Sequence, residues 1–486
     1  MTSALHSELS AAQRAQRSLL AALALSMAGL LFAQNIQQGI GYTLVTVSAL
    51  WPCALWVQAG MPGLPVWPAV AVMSWLYYAV PMLRDHLTQS LYTPAEVFSV
   101  AATVSIYLVT GTIAWRLLFS GAARRAEPYT QVLLNSSQMN GVIFLGLASG
   151  LAFLVCLGFW YSLGAYFGVA RSIMLNACLI GCYLLGHARG TGSMRGFRWV
   201  LALGLLAANV LFMWTFLYLI TGMTELLAVV AGYVLTTKRV PWIPLVTACL
   251  VLTVLHAGKA EMRQRYWGPS PGSAVPNTLS GAPVFLAEWF GAGITSLGKG
   301  EAVSLVIDRA SLFQLLLRVQ RLAPQSVSFL NGQTYALLPG MLIPRFLAPD
   351  KSIGRAAMIL LNVQFGFQTV EGAQTTAIGW GLIAEAFANF GLLGVLGMGL
   401  VAGTIAGLFT RWSCGAAPVS GRSLVGIVGL VTMINVEGDF AGLLSSLWQS
   451  LASVAVLTIV VRLFAAGQPD PSPSANWVPP QPAEIR

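Results

Sequence analysis

Glu385 and Asn389 stand four residues apart, one helical turn, within the stretch Thr375–Gly403. A carboxylate can bind sugar hydroxyls or take a proton, and an amide one turn away can orient what binds beside it. From Gly391 the stretch becomes wholly apolar and glycine-rich, and Gly399, Gly403 and Gly407 carry the spacing that lets helices approach closely. The pair therefore sits at the mouth of a tightly packed helix, with Glu371 in the loop before it. Two readings fit: a polar cluster facing a substrate cavity, or an interfacial cap on the helix.

A second set of residues is basic. Between Lys259 and Ile378 the chain carries ten lysines and arginines against six acidic residues. Arginine presents a rigid fork that holds phosphate oxygens bidentately and keeps its charge when desolvated. Arg345 and Arg355 lie in a stretch broken by glycine and proline, where irregular backbone can line a cavity, and Arg309 lies upstream of them. Arg171 is flanked by apolar residues near the end of a span, where an arginine serves an anion or snorkels to the headgroups. Attraction to anionic lipid headgroups is the other reading of the whole set.

Other chemistries have no support. The chain has no phosphate-binding glycine loop, no dinucleotide fingerprint and no HExxH pair. The four histidines are His6, His86, His187 and His256, the last near the end of a span. Cys178 and Cys182 are one turn apart and read as packing residues; no cysteine spacing suggests a zinc site or a disulfide framework.

The elements that must position these residues are membrane helices. Of 486 residues 56% are hydrophobic and only 9% charged, against roughly 25% charged in a soluble domain. With so few charges the chain takes lipid as its main solvent. The net charge of +10 is spread over many short loops, the pattern of membrane topology rather than of nucleic-acid binding. Apolar runs predict an all-α bundle of about twelve spans at 18–33, 40–58, 66–83, 96–119, 141–160, 168–186, 198–220, 223–237, 240–257, 386–409, 422–436 and 441–464. The first, preceded by Arg14 and Arg17, reads as an uncleaved helix.

Residues 1–257 thus form a bundle of nine spans, 258–379 a large loop, 380–466 the last three spans, and 467–486 a proline-rich disordered tail. Arginines and lysines collect in alternate connections, which puts both termini in the cytoplasm and the large loop outside. Within that loop Gly300–Leu322 reads as an amphipathic helix with Leu312, Leu315, Leu316 and Val319 on its apolar side, lying at the membrane surface or capping the bundle. Arg355–Phe367 reads as a second, short helix.

The segment Ala384–Gly391, AEAFANFG, resembles the E-x-(Y/F)-x-NFG-x-x-G pattern of oligosaccharide repeat-unit polymerases of the Wzy type, which make O-antigen and exopolysaccharide. Asp308-Arg309 before an amphipathic helix, Asn331–Tyr335 (NGQTY) and Ile343–Arg345 followed by Lys351 fit the same family, so the detailed likeness covers Asp308 to Gly403. The resemblance implies a membrane glycosyltransferase in the bacterial inner membrane that joins repeats carried on undecaprenyl pyrophosphate, without cofactor, metal or ATP. It implies pyrophosphate binding by Arg345, Arg355, Arg309 and Arg171, with Glu371 or Glu385 as base. Asn389, Tyr335 and Asn331 would line the sugar cavity. The lipid-linked oligosaccharide and the bilayer would be its partners, with a chain-length regulator and a flippase beside it. An O-antigen ligase shares this topology but leans on a loop histidine, for which only His256 stands near the loop. A flippase needs cations along its lumen, and mid-span charges are few.

Overall fold

The computed structural model describes residues 23–84, 91–125, 129, 134–217, 219–237, 239–266, 281–298, 311–343, 346–348, 354–375 and 378–465. The expected helix start at 300–310, Arg309, Arg345, Lys351, the first residues and the proline-rich tail lie outside them. The described chain is helical, with one isolated bridge between Tyr129 and Ala416.

The first half comprises α1 (Leu23–Phe32), α2 (Ile36–Gln58), α3 (Val66–Arg84), α4 (Pro94–Arg125), α5 (Ser136–Val155), the short α6 (Leu157–Tyr161), α7 (Phe167–Thr191), α8 (Phe197–Thr215), α9 (Leu219–Thr237) and α10 (Trp242–Tyr266). The starts follow from local chemistry. Asn35 accepts from the Gln38 amide at the head of α2, and Asn135 and Gln138 form a reciprocal capping box at the head of α5. Gly192 ends α7 in the left-handed region, φ 68°.

The second half holds α11 (Ala282–Gly298), α12 (Leu312–Leu322), the short α13 (Gln333–Ala336) and α14 (Leu338–Leu342), α15 (Ala356–Gln364), α16 (Val370–Thr375), α17 (Gly381–Ser413), α18 (Gly421–Met433) and α19 (Phe440–Ala465). Among the described residues ten helices are long and apolar enough to cross a membrane, and α1 and α18 are shorter apolar helices. The twelve expected spans map onto these ten and two, and the chain is a multi-pass membrane protein. The 13 residues of α18 rise only about 20 Å, short of a bilayer core of roughly 30 Å.

Close packing of α17 on α4 rests on the expected glycines. A Cβ on Gly403 would overlap the Gly111 carbonyl, and one on Gly407 would meet Leu118 and Trp115. Trp115 Nε1 donates to Thr410 Oγ1 at 3.1 Å across the same seam. Leu64 pins the end of α17 through its amide to Ser413 Oγ and its carbonyl from Thr410 Oγ1.

The helix α17 is not one rod. Phe390 (φ −141°, ψ 17°) and Gly391 (φ 60°, ψ −145°) break it. A straight helix would place Ile383 and Gly399 about 24 Å apart. Tyr107 reaches both: its backbone lies against Gly399 and its side chain lines a small void with Ile383. The first ten residues of α17 therefore turn back into the bundle at Gly391.

On the large-loop side α12 lies across α3, α4 and α17. Its apolar face, Leu312, Leu315, Leu316 and Val319 among others, is buried as expected. Its polar face is tied down as well: Arg321 grips Glu96 at the head of α4 with bonds of 2.8 and 2.9 Å and sits over the Tyr92 ring, while Arg318 donates to the Gly366 carbonyl at 3.0 Å. Of the two expectations for this helix, it caps the bundle.

Candidate functional site

The turned-back half of α17 carries Glu385 to the interior, where it is fully buried. Its Oε2 accepts from the Phe440 amide at 2.6 Å, at the first residue of α19. Its Oε1 is buried without a hydrogen-bond partner among the described residues. One residue earlier, Asp439 caps the same helix: Oδ1 accepts from the Gly442 amide at 2.5 Å, while Oδ2 is also buried and unsatisfied. Two carboxylates thus share the positive end of α19, where unpaired amides and the helix dipole favour negative charge. Burial pushes the Asp439 carboxyl above the usual range, opposed by the Gly442 amide.

Asp439 also stands on the wall of a cavity of about 160 Å³ lined by Arg355, Met358, Thr432, Asn435, Leu443 and Ser446 together with three glycines. Such space takes on the order of ten water molecules. Arg355 immediately precedes α15, so the head of a second helix opens on the same cavity. Because α18 stops short at Met433, the turn Ile434–Asp439 that forms the floor sits beside Gly381, whose amide donates to the Glu437 carbonyl at 3.1 Å.

The break at Gly391 is held by the loop beside it. Freed carbonyls in a membrane interior need donors, and the 330–332 backbone supplies them: the Leu330 amide to Ala388 at 3.0 Å and the Asn331 amide to Asn389 at 3.1 Å. The Asn389 side chain completes the clasp. Its Oδ1 accepts from the Gly332 amide at 3.0 Å, and its Nδ2 donates to Thr334 Oγ1 and the Glu385 carbonyl, both at 2.9 Å. To fit, the 331–332 backbone adopts positive φ, 48° at Asn331 and 88° at Gly332. Tyr335 then stacks on Phe390 at 6.1 Å and meets Phe440 edge-on at 5.8 Å. Burial, followed by the nearby Glu385 charge, pushes the Tyr335 phenol up.

The residues singled out in sequence divide accordingly. Glu385, Asn389, Tyr335 and Asn331 come together in one cluster, and Arg355 opens on the adjoining cavity. Glu371 is exposed on α16, and Arg171 is exposed near the start of α7; neither lines this cavity. Arg309 and Arg345 lie outside the described residues. Asp439 and Asn435 were not singled out. Their signal was available in NVEGDF, Asn435–Phe440, where glycine and aspartate directly before an apolar run mark a turn and an N-cap.

No family model, no curated protein and no solved structure matches this chain.

Proposed function

We propose that this protein polymerises oligosaccharide repeat units carried on undecaprenyl pyrophosphate, at the periplasmic face of a bacterial inner membrane. The observation that carries the reading is the cavity that Arg355 and the buried Asp439 both line, with Glu385 behind, at the heads of α15 and α19. In the reaction a sugar hydroxyl of the incoming repeat attacks the anomeric carbon of the growing chain. The bond from that carbon to the lipid pyrophosphate breaks, its electron pair leaves with the pyrophosphate, and the hydroxyl proton goes to a carboxylate.

Arg355 suits the leaving group, because a guanidinium stabilises the charge that builds on phosphate oxygens. Asp439 joins Glu385 and Glu371 as a base for the hydroxyl. It alone of the three lines the cavity, and a carboxyl raised by burial makes a stronger base than an exposed one. The clasp at Asn389 fixes Tyr335 against Phe440 beside these groups, which supplies orientation. Arg345 and Arg309 are proposed as further pyrophosphate ligands, and Arg171 as a more distant one.

The test is a gel of polysaccharide and lipid-linked sugars from cells lacking this protein. Single repeats accumulating outside, with long chains gone, are expected. Long chains left on the carrier lipid would instead mean a ligase, and repeats stranded on the cytoplasmic side a flippase.

A further inference from the structure

Away from this site, three helices converge on a small polar cluster. Cys178 and Cys182 project from the middle of α7, Asn209 from α8 and Glu225 from α9, all buried. The two sulfurs and a Glu225 oxygen lie within 4.8 Å of one another. Cys178 Sγ is 3.7 Å from Glu225 Oε1 and 3.8 Å from Asn209 Oδ1. Read from sequence, the cysteine pair served packing; the glutamate and the amide arrive only through the fold.

We propose that Cys178, Cys182 and Glu225, with Asn209 Oδ1 as fourth donor, form a binding site for a thiophilic divalent ion of the zinc class. Donors on one tetrahedral zinc stand about 3.6–3.8 Å apart, the separation seen around Cys178. Two sulfurs select zinc over magnesium, calcium or manganese. The amide is already aimed: Asn209 Nδ2 donates to the Leu147 and Leu205 carbonyls, both at 2.9 Å, which turns Oδ1 toward the sulfur.

One feature points to a ligand rather than to packing. Glu225 is 5% exposed, and its Oε2 is buried with no hydrogen-bond partner among the described residues. An unpaired carboxylate oxygen in a helix bundle is costly unless something binds it. Gly150 on α5 brings its backbone close against these donors, since a Cβ there would come within 2.6 Å of both Cys178 Sγ and Asn209 Oδ1. Loading takes one M²⁺ in and releases one proton from each thiol, and one from the carboxyl where it holds one. Two thiolates and a carboxylate then share the divalent charge, leaving one net negative charge. The ion would clamp α7, α8 and α9 together.

The experiment uses the full-length protein in detergent, loaded with Zn²⁺ or Co²⁺ and then dialysed against a weak chelator. Metal content is expected near about one ion per chain, with the absorption bands of thiolate-bound tetrahedral cobalt. Cys182→Ser and Glu225→Gln should lower retained metal at least about tenfold, while serine at the exposed Cys249 should leave it unchanged. Wild-type protein that retains no more metal than Cys182→Ser, or equal loss in the Cys249 variant, overturns the site. Should the cluster variants fail to fold, the wild type decides alone: the cobalt–thiolate bands and a melting temperature that falls on chelation support the site, and their absence ends it.

Discussion

At the scale of single residues the two buried carboxylates make opposite demands, and each is separable by substitution. Glu385 accepts from the Phe440 amide, which a glutamine can also do. Glu385→Gln should therefore melt close to wild type, whereas Glu385→Ala leaves a buried amide unpaired at a cost of about 1–3 kcal/mol. If Glu385 moves a proton, polymer formation in the glutamine variant should fall about a hundredfold or more. Full activity with Glu385→Gln would leave it as a cap on α19. Asp439 responds to pH instead. Burial raises its folded-state pKa above the unfolded value, so the folded state holds the proton more tightly. Its charged form costs stability at neutral pH, and that cost is recovered as pH falls through the folded pKa toward the ordinary carboxylate range. Asp439→Asn, which keeps an acceptor for the Gly442 amide, should melt above wild type at neutral pH and lose that advantage on acidification. Parallel melting curves at every pH would show that Asp439 is not desolvated.

At the scale of elements the break in α17 is the feature on which the cluster depends. Gly391 combines φ 60° with ψ −145°, and a Cβ there would come within 3.1 Å of Phe329. That region of backbone space is open essentially to glycine alone, at a cost of about 1–3 kcal/mol for other residues. Gly391→Ala should loosen the clasp, so that protease cuts between Pro324 and Tyr335 sooner than in wild type. Cleavage at the wild-type rate would mean that the loop is held without the break. Here the sequence was a partial guide. The pairing of Glu385 with Asn389, the apolar face of α12 and the glycine seam of α17 were legible, because spacing along one helix fixes a face. The fold-back was not, because Gly391 sits inside a continuous apolar run and its φ cannot be read from composition. The placing of Asp439 beside Glu385 and the Cys178–Glu225 contact were hidden for a related reason: each depends on which distant helix lies alongside, and periodicity is silent on that.

At the scale of the whole molecule, hydropathy made the spans legible, and the remaining question is which side faces out. Arg189 and Arg411 end α7 and α17, and Arg422 opens α18. These arginines lie at the ends remote from α12 and the cavity, the side where bases are retained during insertion. Bases on the large-loop side do not contradict this, because long loops cross largely regardless of charge. We propose the orientation that puts the cavity in the periplasm, and two exposed positions test it. Glu371 lies on the large-loop side, and Arg195 lies in the turn between α7 and α8 on the other. In a background where the exposed Cys156 and Cys249 are serine, Glu371→Cys should react with a membrane-impermeant maleimide in intact spheroplasts. Arg195→Cys should react only after permeabilisation. The reverse pattern would place the cavity in the cytoplasm, where nucleotide sugars rather than exported lipid-linked repeats are at hand, and the polymerase reading would fall with it.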